Sequence, residues 1–352
     1  MTATHTPVQA ERSHGGTDAL GAAAFDFSSN SNACGPCPVA LAGVQAADAT
    51  RYPDAGYTRL RQALAALHAV APWRVVLAAS ASEFIFRISA WTQRVGGRRV
   101  WIPAAAYGDY AHAAQAWGLE RTDSLEAADL VWACEPSSPL GQDHAHWPQW
   151  LAQVSAAALP GVAGRQLVMD CAYAPLRLSG SPSLNPAQRD AVWQLYSPNK
   201  ALALTGIRAA YAIAPLQSQQ AAYALDAMAP SWPVGAHGEA MLLAWTQAPV
   251  QDWVTQTLPT LRDWKQTQVA LLQALGWQCL QSDANFFCAK PPAALELLGM
   301  LLFLRTRGIK LRDASSLGLP DWLRLSAQPP VAQQALQAGL AAYLNLSLET
   351  SP

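Results

Sequence analysis

The segment Ser197-Pro198-Asn199-Lys200-Ala201-Leu202-Ala203-Leu204-Thr205-Gly206-Ile207-Arg208 decides how the rest of this chain is interpreted. Lys200 is the only charged residue between Asp190 and Arg208. A lysine in such apolar surroundings can attack carbonyl groups as a nucleophile. Gly206 permits a turn, and Arg208 can bind a phosphate through two parallel hydrogen bonds. The spacing predicts a reactive lysine beside an anion-binding arginine; the alternative for a lone lysine in a strand-to-helix loop is a solvated charge.

Apolar runs alternate with amphipathic stretches on both sides of this segment. In Tyr57–His68, apolar side chains recur at the spacing of one helical face. Short strands that are apolar throughout and are separated by helices are typical of a parallel sheet with both faces covered. The sequence therefore predicts an α/β fold with a mostly parallel central sheet flanked by helices. The predicted strands are Val75–Ala79, Val100–Ile102, Leu130–Ala133, Leu167–Met169, Val192–Tyr196 and Ala209–Ile213.

The pattern changes after about residue 240. A long helical stretch over Gln251–Leu275 precedes a strand-like run at Asn285–Ala289, a helix over Ala293–Arg307 and a last helix from Val331. Further short strands are predicted at Ile309–Leu311 and Trp322–Leu325. We predict a large domain over residues 45–240 and a smaller C-terminal α/β domain over residues 241–352. The N-terminal segment, residues 1–44, is expected to pack with the smaller domain.

Composition limits the possible function classes. Of 352 residues, 51% are hydrophobic and 13% are charged, which suits a large buried core and argues against a disordered chain. Lys and Arg total 23 against 24 Asp and Glu, so the net charge of −1 predicts neither nucleic acid nor a membrane as partner. No run is apolar enough to span a bilayer, and the first residues lack a signal-peptide core. We expect a cytoplasmic protein with reduced, scattered cysteines.

Two local patterns suggest other chemistry. Cys34-Gly35-Pro36-Cys37 has the spacing of a redox pair, but it lies in a turn-rich stretch with no apolar strand before it, so we interpret it as a tight turn. His144 and His146 have no cysteine partners nearby and only Asp143 as a carboxylate, so we predict a solvated loop and no metal site.

The residues that follow the predicted strands are rich in groups that could bind one ligand, and in open parallel sheets ligands lie at these strand ends. The Ser197–Arg208 segment resembles the cofactor-lysine motif of fold-type I pyridoxal-phosphate enzymes in the class I/II aminotransferase family. The resemblance implies that Lys200 binds pyridoxal 5'-phosphate covalently and that Ser197 and Arg208 bind its phosphate. Val168-Met169-Asp170-Cys171-Ala172-Tyr173 resembles the family's Asp-Glu-Ala-Tyr box. By that resemblance Asp170 pairs with the pyridine nitrogen and Tyr173 bonds the ring's phenolic oxygen, whereas alone Asp170 reads as a helix N-cap.

The resemblance extends over nearly the whole chain and implies further site residues. Ser80, Ala81 and Ser82 open a predicted helix, whose backbone N–H groups favour a phosphate. Tyr107 is similar to the aromatic residue that stacks on the cofactor ring, with a core aromatic as the alternative. Tyr52 is similar to the tyrosine that reaches the phosphate of the neighbouring subunit, which implies a homodimer.

A small anionic amino-acid or amino-phosphate substrate is implied by the C-terminal part. Arg324 resembles the family's carboxylate-binding arginine. Arg312 is a second candidate for binding substrate anions, with a surface salt bridge as its alternative, and Asn32 is expected nearby. The chain also departs from the family pattern, because Ser138 occupies the place of an asparagine that normally bonds the phenolic oxygen, within Glu135–Gly141.

The opening residues carry the best indication of the reaction. Ser13-His14-Gly15-Gly16, with Asp26–Asn32 and Gly35-Pro36, resembles the start of threonine-phosphate decarboxylases of cobalamin (vitamin B12) biosynthesis. The first hypothesis is therefore decarboxylation of L-threonine O-3-phosphate. The alternative is an aminotransferase similar to the histidinol-phosphate enzymes. A third possibility is a cofactor-binding protein that has lost catalysis.

Overall fold

A computed structural model describes residues 14–144, 147, 151, 165–293 and 295–349. The strands of the described residues form one large sheet and two small ones. The large sheet has seven strands in the order β2-β8-β7-β6-β5-β3-β4, and only β8 runs antiparallel to its neighbours. Its strands are β2 (Val75–Ala78), β3 (Arg99–Trp101), β4 (Glu120–Arg121), β5 (Leu130–Cys134), β6 (Gln166–Asp170), β7 (Trp193–Tyr196) and β8 (Ala210–Ile213). The predicted α/β fold with a mostly parallel sheet is confirmed.

Helices cover both faces of this sheet. Strands β2, β5, β6 and β8 are buried at every position, which explains why their sequences are apolar throughout. The helices of the described residues are α1 (Pro38–Gln45), α2 (Thr58–Leu67), α3 (Ala81–Arg94), α4 (Gly108–Ala116), α5 (Pro186–Arg189), α6 (Gln219–Ala227), α7 (Ala236–Trp245), α8 (Ala248–Ala274), α9 (Leu297–Thr306) and α10 (Pro330–Glu349). Helices α1, α2 and α7 pack on one face, and α3, α4 and α6 pack on the other.

The C-terminal part builds its own antiparallel sheet in the order β12-β13-β10-β9. Its strands are β9 (Gln278–Cys279), β10 (Phe286–Lys290), β12 (Arg312–Asp313) and β13 (Leu323–Ser326). A separate parallel pair joins β1 (Phe25–Asp26) from the N-terminal segment to β11 (Ile309–Lys310).

Two predicted boundaries fall inside helices. Residue 44 lies within α1 and residue 240 within α7, and both helices contribute to the apolar core beneath the large sheet. Val250, Val254 and Leu261 of α8 belong to the same core. The apolar core beneath the large sheet therefore extends past residue 240 into the first part of α8.

The local predictions differ from the structure at several places. Helix α9 begins at Leu297 and not at Ala293, because the side chain of Glu296 caps it by accepting hydrogen bonds from two backbone N–H groups. The Cys34–Cys37 stretch is a turn that leads into α1, with Cys37 as its N-cap. His144 is partly buried, not solvated, and its Nε2 lies 3.0 Å from the carbonyl oxygen of Cys134. His146 lies outside the described residues. Among the described helices, none combines the length and apolar character needed to cross a membrane.

His68 makes stability depend on pH. Its Nε2 lies 2.8 Å from the Tyr211 hydroxyl, and burial lowers its pKa from 6.5 to about 4. The folded protein thus resists protonating His68 while the unfolded chain accepts the proton below pH 6.5. Stability from this site is complete above pH 6.5 and is lost as the pH falls toward 4, by roughly 3 kcal/mol. In urea unfolding followed from pH 7 to pH 4, His68→Phe is expected to remove this part of the pH dependence. An unchanged pH profile would contradict it.

Candidate active site

One cavity of about 690 Å³ lies at the edge of the large sheet where its parallel strands end. The residues after β2, β3, β5, β6 and β7 all meet there, because parallel strands present their carboxyl ends at one edge. Its volume is in the range of small-ligand sites. Twelve predicted site residues line the cavity: Ser80, Ala81, Ser82, Tyr107, Ser138, Asp170, Tyr173, Ser197, Lys200, Arg208, Arg312 and Arg324.

Lys200 lies in the connection between β7 and β8. No helix follows it, in contrast to the strand-to-helix loop that the sequence suggested. Consecutive turns close instead, with hydrogen bonds from Ala203 N to Lys200 O and from Leu204 N to Asn199 O, and the chain enters β8 directly. The Lys200 Nζ lies 5.2 Å from the centre of the Tyr173 ring. The lysine is therefore directed into the cavity beside Tyr173.

Asp170 is the buried carboxylate of the cavity. Its Oδ2 accepts a 2.6 Å hydrogen bond from the Tyr110 hydroxyl, and its Oδ1 accepts one from Ala172 N. Burial raises the pKa of Asp170, because the ionised carboxylate is less stable away from water. A cationic group next to Asp170 would stabilise the ionised carboxylate. The N-cap alternative explains only the Ala172 contact and not the tyrosine.

A second group of residues that line the cavity is suited to binding an anion. Helix α3 begins at Ala81, and its first residues line the cavity, where a helix start favours an anion. Ser80 caps the helix by accepting a hydrogen bond from Glu83 N. The Ser197 hydroxyl is buried without a hydrogen-bond partner among the described residues. Arg208 is exposed to the same space. These groups together can bind a phosphate.

Arg312 and Arg324 lie directly opposite each other on β12 and β13. Residues paired in this way project from the same face of a sheet, so both side chains reach the cavity. Arg324 donates to the Ser138 hydroxyl (3.1 Å) and to the Ser28 carbonyl (3.0 Å), while its Nε is buried without a partner among the described residues. Burial, and then the positive charge of Arg324, lowers the pKa of Arg312. Arg312 is 6% exposed and does not lie on the surface, and its guanidinium donates to the Ser316 hydroxyl at 2.7 Å.

Ser138 contacts Arg324 in the described structure, through its hydroxyl. Its loop is held by Glu135, which is buried and ion-paired with Arg177 at 2.8 Å. Tyr107 lines the cavity, and its hydroxyl donates to Asp109 and lies 3.3 Å from the Ser82 hydroxyl.

Two predicted residues are not brought to this cavity. The Asn32 amide donates to Ala201 O (3.2 Å) and to the Thr257 hydroxyl (2.9 Å). It therefore stabilises the loop that contains Lys200 without lining the cavity. Tyr52 is 77% exposed and stacks on Trp232 with ring centres 4.3 Å apart. Within one chain, Tyr52 therefore contributes nothing to the cavity.

Sequence reasoning missed several lining residues. Tyr110 lies three positions after Tyr107, and that helical spacing could have indicated a shared face. Asn30 donates to the Tyr173 hydroxyl and lines the cavity. His14, Gly15 and Gly16 also line it. A Cβ on Gly15 would lie 2.1 Å from the Ser28 carbonyl oxygen, and Gly16 has φ +89°, so both positions require glycine.

The residues present fit pyridoxal phosphate. The unpartnered Ser197 hydroxyl and the start of α3 suit its phosphate, and the buried Asp170 suits its ring nitrogen when that nitrogen is protonated. Lys200 lines the same cavity.

Comparison with known proteins gives an independent view of the chain. The family model described as aminotransferase class I and II matches residues 23–342. The histidinol-phosphate aminotransferase of Symbiobacterium thermophilum is 28% identical over 340 residues, which cover 90% of this chain and 89% of that protein.

Solved structures share the fold at lower identity. A histidinol-phosphate aminotransferase from Sinorhizobium meliloti, solved in complex with pyridoxal-5'-phosphate, aligns with a TM-score of 0.73 at 20% identity, covering 90% of each chain. An L-threonine-O-3-phosphate decarboxylase from Porphyromonas gingivalis aligns with a TM-score of 0.68 at 20% identity, covering 87% of this chain and 92% of that one.

Proposed function

This chain belongs to the class I and II aminotransferase family of pyridoxal-phosphate-dependent enzymes, and on that premise we propose that it is an aminotransferase for a small amino-phosphate substrate. Histidinol phosphate is the substrate we propose, by analogy with the curated relatives. This reverses the order of the sequence-based hypotheses, in which decarboxylation came first.

The observation that carries the proposal is the pair of buried arginines beside Lys200. Arg312 and Arg324 lie opposite each other and share a cavity with the lysine. Two guanidinium groups that repel each other are stabilised by a bound anion, such as a substrate phosphate or carboxylate. In an aminotransferase the two arginines would bind the amino donor in one half-reaction and the amino acceptor in the other, because both molecules carry anionic groups.

Several charged residues of the cavity and the Ser197 hydroxyl have the following roles in this proposal. Pyridoxal phosphate, when bound, supplies an electron sink that weakens the bonds at the substrate's α-carbon. Asp170 holds a proton on the ring nitrogen, while Ser197, Arg208 and the start of α3 bind the phosphate. The Nζ of Lys200 moves the proton of the substrate's α-carbon as a general base and acid. Arg312 and Arg324 orient the substrate by its anionic groups.

A product assay on the purified protein loaded with pyridoxal phosphate tests the proposal. Histidinol phosphate and 2-oxoglutarate are expected to yield glutamate. No glutamate from any tested amino-phosphate, together with carbon dioxide release from L-threonine O-3-phosphate, would overturn it in favour of the second candidate. An absorption band that does not shift with any tested amino acid would indicate a protein without catalysis.

Decarboxylation of L-threonine O-3-phosphate is the second candidate, and one feature favours it. His14, Gly15 and Gly16 form part of the cavity wall, and Gly16 N donates to the Ser28 hydroxyl at 2.8 Å. Lys310 also donates to the Gly16 carbonyl. His14, Gly15 and Gly16, which belong to the stretch that resembled the decarboxylases, therefore pack against the cavity.

Substitution of Arg324 is expected to weaken binding of anionic substrates. Arg324→Ala removes charged hydrogen bonds, so the KM for the amino-phosphate should rise roughly 10- to 100-fold in steady-state assays. The exposed Arg94 at the end of α3 provides the matched control, and Arg94→Ala should leave KM unchanged. Equal KM values for the Arg324 variant and the unmodified enzyme would show that the anion binds elsewhere.

A homodimer is part of the proposal. The exposed Tyr52 and Trp232 stack as an aromatic pair on the surface, and exposed apolar patches often mark protein interfaces. In the family pattern, the tyrosine corresponding to Tyr52 reaches the cofactor phosphate of the neighbouring subunit. Tyr52 has no role within its own cavity, which agrees with this assignment.

A further inference from the structure

Asn30 is a buried polar residue of the cavity that the proposed reaction does not use. It is 2% exposed and lines the cavity beside Tyr173. Its Nδ2 donates a 3.2 Å hydrogen bond to the Tyr173 hydroxyl, while its Oδ1 has no partner among the described residues. Burying an amide with an unpaired oxygen costs free energy of folding. The hydrogen bond to Tyr173 is the contact of this side chain that could offset the cost.

The surroundings of Asn30 hold it firmly in place. The Asn285 amide donates to the backbone carbonyls of Asn30 and Ser31, each at 3.2 Å. The ring of Tyr173 packs edge-on against Phe286, with ring centres 4.8 Å apart. Both partners of the Asn30–Tyr173 hydrogen bond are thus fixed before any ligand binds.

The direction of this hydrogen bond determines where the hydrogen of Tyr173 points. A hydroxyl that accepts from an amide keeps its own hydrogen for another acceptor. Ser138 lies at the position where the family carries a second donor for the phenolic oxygen, but its side chain is shorter than that of asparagine and contacts Arg324. Tyr173, with the longer side chain, is the donor that we assign to this oxygen.

We propose that Asn30 is a positioning residue that orients the Tyr173 hydroxyl toward the phenolic oxygen of the bound cofactor, in place of the asparagine that Ser138 replaces. This inference rests on the proposed cofactor site. A donor facing the phenolic oxygen stabilises its negative charge and so favours the deprotonated form of the bound chromophore. Asn30 therefore lowers the pH at which the visible absorption band titrates.

An absorbance titration of the protein loaded with pyridoxal phosphate tests the inference without any activity assay. Asn30→Ala is expected to raise the titration midpoint by about half a pH unit, and Tyr173→Phe by about one unit. Asn30→Asp, which has nearly the same shape and folds even if the alanine variant does not, should raise it at least as much as Tyr173→Phe. Its carboxylate accepts the hydrogen of Tyr173 and turns it away from the cofactor.

The double variant Asn30→Ala with Tyr173→Phe separates positioning from a general structural role. If Asn30 acts through Tyr173, the double variant has the midpoint of Tyr173→Phe alone; additive shifts would overturn the inference. Gln268→Ala is the matched control, because Gln268 is also a buried amide but bonds Ser326 and Gln328, which do not line the cavity. It should leave the midpoint unchanged, and a shift equal to that of Asn30→Ala would also overturn the inference.

The outcomes distinguish this inference from the proposed function. If Tyr173→Phe leaves the midpoint unchanged, the assignment of Tyr173 to the cofactor fails, and with it the proposed site. If Tyr173→Phe shifts the midpoint while Asn30→Ala and Asn30→Asp do not, only the role of Asn30 is wrong.

Discussion

Replacing Lys200 with alanine is expected to lower the rate of the proposed amino transfer by roughly a hundredfold to ten-thousandfold, the range contributed by a positioned general acid–base group. The visible absorption band of the loaded protein should disappear at the same time, because no other lysine lines the described cavity. The substitution leaves the backbone of the loop intact, since Asn32 N donates to the carbonyl oxygen of residue 200 and not to its side chain. Activity assays and absorbance spectra of one preparation measure both effects.

Lys265 provides the matched control for this experiment. Burial lowers the pKa of Lys265 to about 8, and its Nζ donates to the carbonyl oxygens of Ser282 and Ala284. Lys265→Ala should reduce stability but keep the absorption band. If the Lys200 variant retains the band and the Lys265 variant loses it, Lys265 is the lysine that binds the cofactor.

Asp170→Asn is expected to have the next largest effect. The variant keeps an oxygen for Ala172 N, so the local fold should persist, but it removes the negative charge that we propose pairs with the ring nitrogen. Loss of one partner from a buried charge pair costs about 3–5 kcal/mol, which corresponds to a rate loss of at least about a hundredfold. Steady-state kinetics measure the rate, and equilibrium dialysis measures the affinity for pyridoxal phosphate.

The control for Asp170 is a carboxylate outside the cavity. Asp190 pairs with Arg74 at 2.7 Å and does not line the site. Asp190→Asn should leave both kinetics and cofactor affinity unchanged. If Asp170→Asn is as active as the unmodified enzyme, Asp170 has no role in the reaction and serves only as a hydrogen-bond acceptor for Ala172 N.

Much of the fold could be predicted because its strands are buried on both faces. Runs such as Leu130–Ala133 are apolar at every position, and they lie in the strands that the structure contains. The antiparallel direction of β8 could not be predicted in this way, since a buried run looks the same in either direction. The domain limits at 44 and 240 stay predictions, and both positions lie inside apolar helices.

The candidate site was largely predictable because its residues follow strands that end at one edge. The exceptions are residues whose place depends on a turn. Asn30 and Asn32 lie two positions apart, yet only Asn30 lines the cavity, because Asn32 accepts a hydrogen bond from Cys34 N and closes a turn there. The contact between Asn30 and Tyr173 spans 143 positions in the sequence, so no local pattern could indicate it.

The most direct test of the account is to find which lysine binds the cofactor. The chain contains four lysines, Lys200, Lys265, Lys290 and Lys310, so the assignment can be complete. The protein is loaded with pyridoxal phosphate, reduced with sodium borohydride and digested, and its peptides are analysed by mass spectrometry. We predict that the added cofactor mass occurs on the peptide that contains Lys200. Its presence on a peptide with Lys265, Lys290 or Lys310, or its absence from all four, would contradict the account.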